Sequence, residues 1–137
     1  TRWHQAERNT DLSIMDQQHA ATAALNAFFK ITECWGLTGE LQRKLLGESA
    51  FMKWNSTKNA KQLAPSTLTR ISHVIGIYHA LHTIYSDKEL ADGWLGRPND
   101  NPLFGGDPAM VRLVTGEEED LRLIHQHLLS RIDLACS

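Results

Sequence analysis

The chain has 137 residues and a formal net charge of −2, with 42% hydrophobic and 22% charged residues, the make-up of one small globular domain or two very small ones. No apolar run approaches the roughly 20 residues that a membrane span requires, and no basic-plus-apolar leader marks the chain for export, so a cytoplasmic protein without a membrane segment is expected. Two cysteines as far apart as Cys34 and Cys136 argue against a disulfide framework, and Cys34 reads as a small buried apolar residue.

The periodicity is helical nearly throughout, and no stretch argues for a strand. Ala24, Leu25, Phe28, Ile31 and Trp35 recur at three- and four-residue spacing, with Gly36 closing that helix. Thr38 can cap a short helix that carries Leu41, Leu45 and Leu46 and ends at Gly47. Ser49 can cap the next, with Phe51, Met52 and Trp54 as its apolar positions. A polar stretch from Asn55 to Gln62 follows. Leu68, Ile71, Ile75, Tyr78, Leu81 and Tyr85 then mark a long amphipathic helix behind Pro65. Ser86-Asp87-Lys88-Glu89 is a capping box for a helix running through Leu90 to Trp94. Met110, Val111 and Val114 follow Pro108 in a short helix ended by Gly116. A last helix opens in the acidic run from Glu117 to Asp120, which suits the positive end of the helix macrodipole, and buries Leu121, Ile124, Leu128 and Ile132. The expected fold is all-α with about seven helices.

One loop stands apart from these helices. Between Trp94 and Thr115 three prolines and three glycines lie among Trp94, Leu103 and Phe104. Pro98 and Pro102 fix φ, and Gly105-Gly106 allows backbone angles closed to other residues. Asp107 is placed to cap the following helix, with Pro108 at its first position. Such a loop is either a stapled helix–helix connection or a presented recognition surface.

Charge is divided along the chain. Residues 1–68 carry 8 Lys/Arg against 6 Asp/Glu, net +2, whereas residues 69–137 carry 6 against 10, net −4. The two halves are therefore suited to different partners, a polyanion for the first and a protein for the second. In the basic part, Leu37 to Trp54 has a short helix, a Gly-centred turn and a second short helix, the order of a helix-turn-helix. Glu48, Ser49, Ala50 and Lys53 would then face base edges, with Lys44, Lys58 and Lys61 on phosphates. Leu41, Leu45, Leu46, Met52 and Trp54 would form the inner side. A purely structural helical hairpin gives the same pattern.

Five segments occur in a particular order: L-T-G-E-L-Q-R-K-L-L-G-E-S with the later Trp54, R-I-S-H-V-I-G-I-Y-H-A-L (Arg70 to Leu81), A-D-G-W-L-G-R-P-N (Ala91 to Asn99), F-G-G (Phe104 to Gly106) and L-R-L-I-H-Q-H-L (Leu121 to Leu128). Together they resemble the Xre/MbcA/ParS-type antitoxins over roughly residues 22–134. The first segment is similar to their Xre-like helix-turn-helix and the remainder to their toxin-binding domain. On this division residues 1–21 are an N-terminal extension, 22–64 the helix-turn-helix-like module and 65–137 the toxin-binding domain.

The resemblance implies a non-enzymatic antitoxin of a type II toxin–antitoxin system. Such a protein covers the NAD-binding cleft of a RES-domain toxin, which degrades NAD or transfers its ADP-ribose. It implies no cofactor, a homodimer within a toxin–antitoxin hetero-oligomer, and repression of its own operon through operator DNA. The toxin-contacting residues it points to are Arg97, Asn99, Phe104 and Gly106, together with Arg122, His125 and Arg131 on the last helix. Arg70, Trp94 and Trp54 take structural roles, and Ser49, Lys44, Lys53, Lys58 and Lys61 the DNA-contacting ones. On physical grounds Trp94 and Phe104 read first as core aromatics that pin the loop. Arg97, beside a rigid loop, can pair with a partner's carboxylate. Asn99 can instead cap the loop backbone.

Other chemistry is poorly served. His79 and His82 are spaced i, i+3, but no Cys, Asp or Glu lies close enough in sequence to complete a metal shell. His125 and His127 point in different directions. No nucleophile–base pair is suggested by spacing, so no catalytic residue is expected. Gly105-Gly106 follows no strand, as a phosphate-binding loop would. The alternative functions are a stand-alone helix-turn-helix transcriptional regulator and, further off, a small helical enzyme.

Overall fold

Why the chain folds from several short helices is visible at its glycines. The structure, a computed structural model, describes residues 19–57 and 63–136. These form seven α-helices: α1 (19–34), α2 (Gly39–Leu46), α3 (Glu48–Thr57), α4 (Pro65–Ile84), α5 (Lys88–Gly93), α6 (Ala109–Leu113) and α7 (Glu118–Cys136), with a 3₁₀ turn at Trp94–Gly96. Gly36, Gly47 and Gly116 stand at helix ends with positive φ, where residues with a Cβ are disfavoured. The only β feature among the described residues is an isolated antiparallel bridge between Pro98 and Pro108. Within them, no helix is long and apolar enough to cross a membrane.

The α1–α3 region is assembled on aromatic side chains and one buried polar link. Leu25, Phe28 and Ile31 of α1 are buried. Thr32 donates to the Phe28 carbonyl and accepts at 2.9 Å from the Gln42 amide, which ties α1 to α2 without leaving a buried polar group unpaired. Phe29 stacks on Trp54 and meets Phe51 edge-on, so Trp54 is a core residue, as its spacing indicates.

Two expectations fail here. Met52 is 55% exposed rather than internal, and Cys34 is exposed rather than buried. Cys34 lies six residues after Phe28, about 240° around the helix and away from the side that packs.

Capping also departs from the sequence reading in three places. Thr38 caps α2 as expected, accepting from Leu41 N. The next helix, however, starts at Glu48, immediately after Gly47 at φ 100°, so Ser49 lies inside the first turn and is not the cap. At α5 the N-cap is Asp87, whose carboxylate accepts from Glu89 N at 2.8 Å and Leu90 N at 3.2 Å. It displaces Ser86 because an ionised carboxylate is the stronger acceptor. At α6, Pro108 occupies the N-cap position in extended conformation and Ala109 begins the helix, one residue later than an Asp107 cap would place it. The bridge to Pro98 holds Pro108 extended.

The second half is organised around α4. Thr67, Ile71, Val74, Ile77, Ala80 and Leu81 are buried on it, while Leu68 is exposed. The single apolar stripe read from the sequence is therefore incomplete. The helix is packed from more than one direction, most extensively by α7 and also by α5 and α2, so Val74 and Ile77 are needed as well. Leu121, Ile124 and Leu128 of α7 are fully buried against this core. One contiguous apolar cluster runs from Leu25 to Leu128 and includes residues from both halves.

Arg70 reinforces that continuity. Its guanidinium donates to the Gly116 carbonyl at 2.6 Å and makes longer contacts, at 3.4 Å, with the carbonyls of Lys44 and Leu45. It thus satisfies orphan carbonyls at the end of α2 and of the α6–α7 turn together, the structural role expected of it.

Candidate functional site

The loop between the 3₁₀ turn and α6 is held by its own polar side chains. Asn99 Oδ1 accepts from Asn101 N at 3.0 Å, and Asn101 Oδ1 accepts from Leu103 N at 2.9 Å, two successive Asx turns. Gly106 N returns to the Asn99 carbonyl at 2.9 Å, across a turn in which Gly105 and Gly106 both have positive φ. Arg112 closes the far side by donating to the Leu103 carbonyl and pairing with Asp120 at 2.7 Å. Beneath the loop, Trp94 and Phe104 meet edge-on, and His127 from α7 stacks on Trp94 and abuts Phe104. The loop is thereby clamped to α7.

Beside this clamp lies an open groove of about 610 Å³. Each wall follows from local structure. Tyr85 is the C-cap of α4 in extended conformation, which carries its ring out of the helix. Arg97 leaves the 3₁₀ turn extended, just before Pro98. Residues His127, Ser130 and Arg131 share one side of α7 by three- and four-residue spacing. The guanidinium carbons of Arg97 and Arg131 stand 5.9 and 5.6 Å from the centre of the Tyr85 ring, within cation–π range. Arg97 also donates to the Leu90 carbonyl at 2.7 Å, and Arg131 reaches the Tyr85 hydroxyl at 3.4 Å. The ion pairs among the described residues are His82–Asp92, Arg112–Asp120 and Arg122–Glu119. Within that set neither groove arginine has a carboxylate partner; Asp100 lies at the lining without pairing.

Burial, and then the nearby Arg131 charge, hold the His127 imidazole below its ordinary pKa. On the α4 side of α7, His125 Nδ1 lies 3.0 Å from His73 Nδ1, and its ring covers Gly76. It too is pushed down, first by burial and then by His73. For both groups the unfolded chain takes up the proton first as pH falls. Their contribution to stability is therefore complete above about pH 7 and is lost as pH drops through the ordinary imidazole value, about 6.5, toward the lower folded values. Thermal melts are expected to show a falling midpoint between about pH 7.5 and 5. Combining His125→Gln with His127→Gln should shallow that slope, and an unchanged slope would locate the acid sensitivity elsewhere.

The structure brings Arg97, Asn99 and Arg131 to one groove. Phe104 is 7% exposed and supports the loop from below, while Gly106 shapes its turn. Arg122 lies elsewhere on α7, ion-paired with Glu119 and donating to Gln126 at 2.9 Å, and His125 faces His73. Sequence reasoning missed Tyr85 and Ser130 as site residues and left His127 without a role. The available signal was the i, i+4 spacing of His127 and Arg131, but no sequence pattern ties Tyr85 to them.

In the basic region Ser49, Lys53 and Lys44 are exposed, whereas Ala50 is buried and turned away from any base edge. Lys58 and Lys61 lie outside the described residues. The α2–α3 corner consists of Gly47 alone, shorter than the three- to four-residue turn of a helix-turn-helix. His82 pairs with Asp92, and among the described residues no group of three or more His, Cys, Asp or Glu is arranged to hold a metal.

No family model matches the chain, and no solved structure does. Among curated proteins, the uncharacterized protein y4oB of Sinorhizobium fredii (strain NBRC 101917 / NGR234) is 38% identical over 109 residues, covering 77% of this chain and 81% of that protein. An all-α chain matched at that identity over most of both lengths shares ancestry and fold with its relative, and this protein belongs to the family of y4oB.

Proposed function

We propose that this protein is an antitoxin that binds a RES-domain toxin and occludes its NAD-binding cleft. The observation that carries the reading is the groove itself. Two guanidiniums without a carboxylate partner among the described residues converge with an ordered loop on one open surface. Arginines placed beside aromatic side chains are common anchors at protein interfaces. The order of the five sequence segments supplies the identity of the partner. Supporting geometry comes from Trp94, Phe104 and His127, which pin the loop so that little ordering entropy remains to be lost on binding.

The test is a titration of the full chain into a RES-domain toxin while NAD is followed. NAD consumption is expected to stop near equimolar antitoxin, with a complex that survives gel filtration. Continued consumption at about tenfold excess, where a tight 1:1 inhibitor is saturating, sinks the reading. Repression of its own operator is the second part of the proposal, supported by the net charge of +2 over residues 1–68 and by the exposed Lys44 beside the α2–α3 corner.

A further inference from the structure

We propose that the Arg97–Tyr85–Arg131 groove is a carboxylate-binding site that takes an acidic side chain of the partner protein. This rests on the antitoxin reading for the partner's identity, but the recognition chemistry stands on the geometry alone. The groove places two guanidiniums over one phenol ring, whose hydroxyl is reached by Arg131. Arg97 uses one Nη on the Leu90 carbonyl, and Arg131 only long contacts to Tyr85. The remaining N–H groups form planar forks that match a carboxylate in two parallel hydrogen bonds.

Charge selects the class of anion. Arg97 and Arg131 against Asp100 leave the lining with one net positive charge, which a single carboxylate neutralises. The long helix α4 ends at Tyr85, so the negative end of its macrodipole lies on this side of the molecule. A doubly charged phosphoryl group would meet that dipole and Asp100 with surplus negative charge, and no described α-helix begins at a lining residue to offer the backbone N–H groups that phosphate favours. A cavity of about 320 Å³ beside Phe104 offers no comparable site because its arginine, Arg112, is already paired with Asp120.

The test uses the full chain with ¹⁵N-labelled arginine at low salt. Glutarate, a capped acidic hexapeptide and inorganic phosphate are titrated at matched ionic strength, and the Nε–H resonances of Arg97 and Arg131 are followed. Glutarate and the peptide are expected to move both resonances saturably, with phosphate about fivefold weaker or more. Arg97→Lys and Arg131→Lys keep the charge and lose the fork, so each should weaken peptide binding about three- to tenfold, and the double Ala variant should abolish it. The absence of saturable shifts overturns the proposal, as does phosphate binding as tightly as glutarate, or peptide binding that survives in a folded double Ala variant. Neutralisation of the toxin separates the two levels. Peptide binding in the wild type with full neutralisation by the double Ala variant leaves the carboxylate site standing and removes the groove from the toxin interface. No peptide binding, with neutralisation lost in the double variant, overturns the carboxylate site and leaves the interface reading intact.

Discussion

Replacing both Arg97 and Arg131 with Ala is expected to abolish toxin neutralisation while leaving the helical circular dichroism unchanged. Both guanidiniums lie at the surface of the groove, and their intramolecular contacts are one carbonyl bond, long contacts to the Tyr85 hydroxyl and cation–π packing on Tyr85. Their loss should therefore cost the free protein little, about 1 kcal/mol or less each. At an interface the same groups act differently, because truncating an arginine leaves a partner's acceptor buried and unpaired. Such hot spots cost about 2–4 kcal/mol each, so the pair should weaken the complex by about a thousandfold or more. NAD would then be consumed at antitoxin ratios that protect it fully with the wild type. As a control, Arg122→Ala removes an arginine of α7 already ion-paired with Glu119 and should change neutralisation far less. If the double variant is folded and neutralises at equimolar ratio, the groove is not the toxin-binding surface.

Gly116→Ala is expected to lower stability by about 2–4 kcal/mol, near the upper end for a single methyl group. Two effects combine at this position. Gly116 has φ +73°, where an L-residue is strained by about 1–2 kcal/mol. An added Cβ would also stand 2.6 Å from the Lys44 carbonyl oxygen, a backbone atom at the end of α2 that cannot swing aside. Relief requires the α6–α7 turn to move away from α2, which loosens the Arg70 bond to the Gly116 carbonyl. For a chain of this size the loss corresponds to a fall of roughly 10 °C in Tm. Gly105→Ala isolates the strain, since Gly105 shares the positive φ but has no neighbouring atom within 4 Å of the added Cβ. It should cost only about 1 kcal/mol. Equal losses at the two glycines would show that the approach of α2 to Gly116 is not tight.

Helix identity was legible from residue spacing because a buried side every three to four residues is a local property. Leu25, Phe28 and Ile31, like Leu121, Ile124 and Leu128, are buried as their periodicity predicts. Helix ends punctuated by glycine were equally clear, since positive φ depends on the absence of a Cβ at that residue and not on distant packing. Caps were less so: Ser49, Ser86 and Asp107 each lost the position to a neighbour, because whether a side chain or a constrained backbone sets the first turn depends on what precedes it. Met52 and Cys34 were misread for a different reason. An apolar residue type permits burial, but only the arrival of another helix on that side achieves it.

By itself, then, the sequence determined the all-α class, the helix-ending glycines and the stiff Trp94–Thr115 loop, all of which rest on interactions spanning a few residues. Tertiary structure alone decided that α4 is packed from several directions, that Arg70 joins α2 to the α6–α7 turn, and that Tyr85, Arg97 and Arg131 share one groove. Tyr85 and Arg131 are separated by 46 residues along the chain. Their proximity follows from how α4 and α7 pack, and packing distances are set by all the buried side chains together rather than by any local motif.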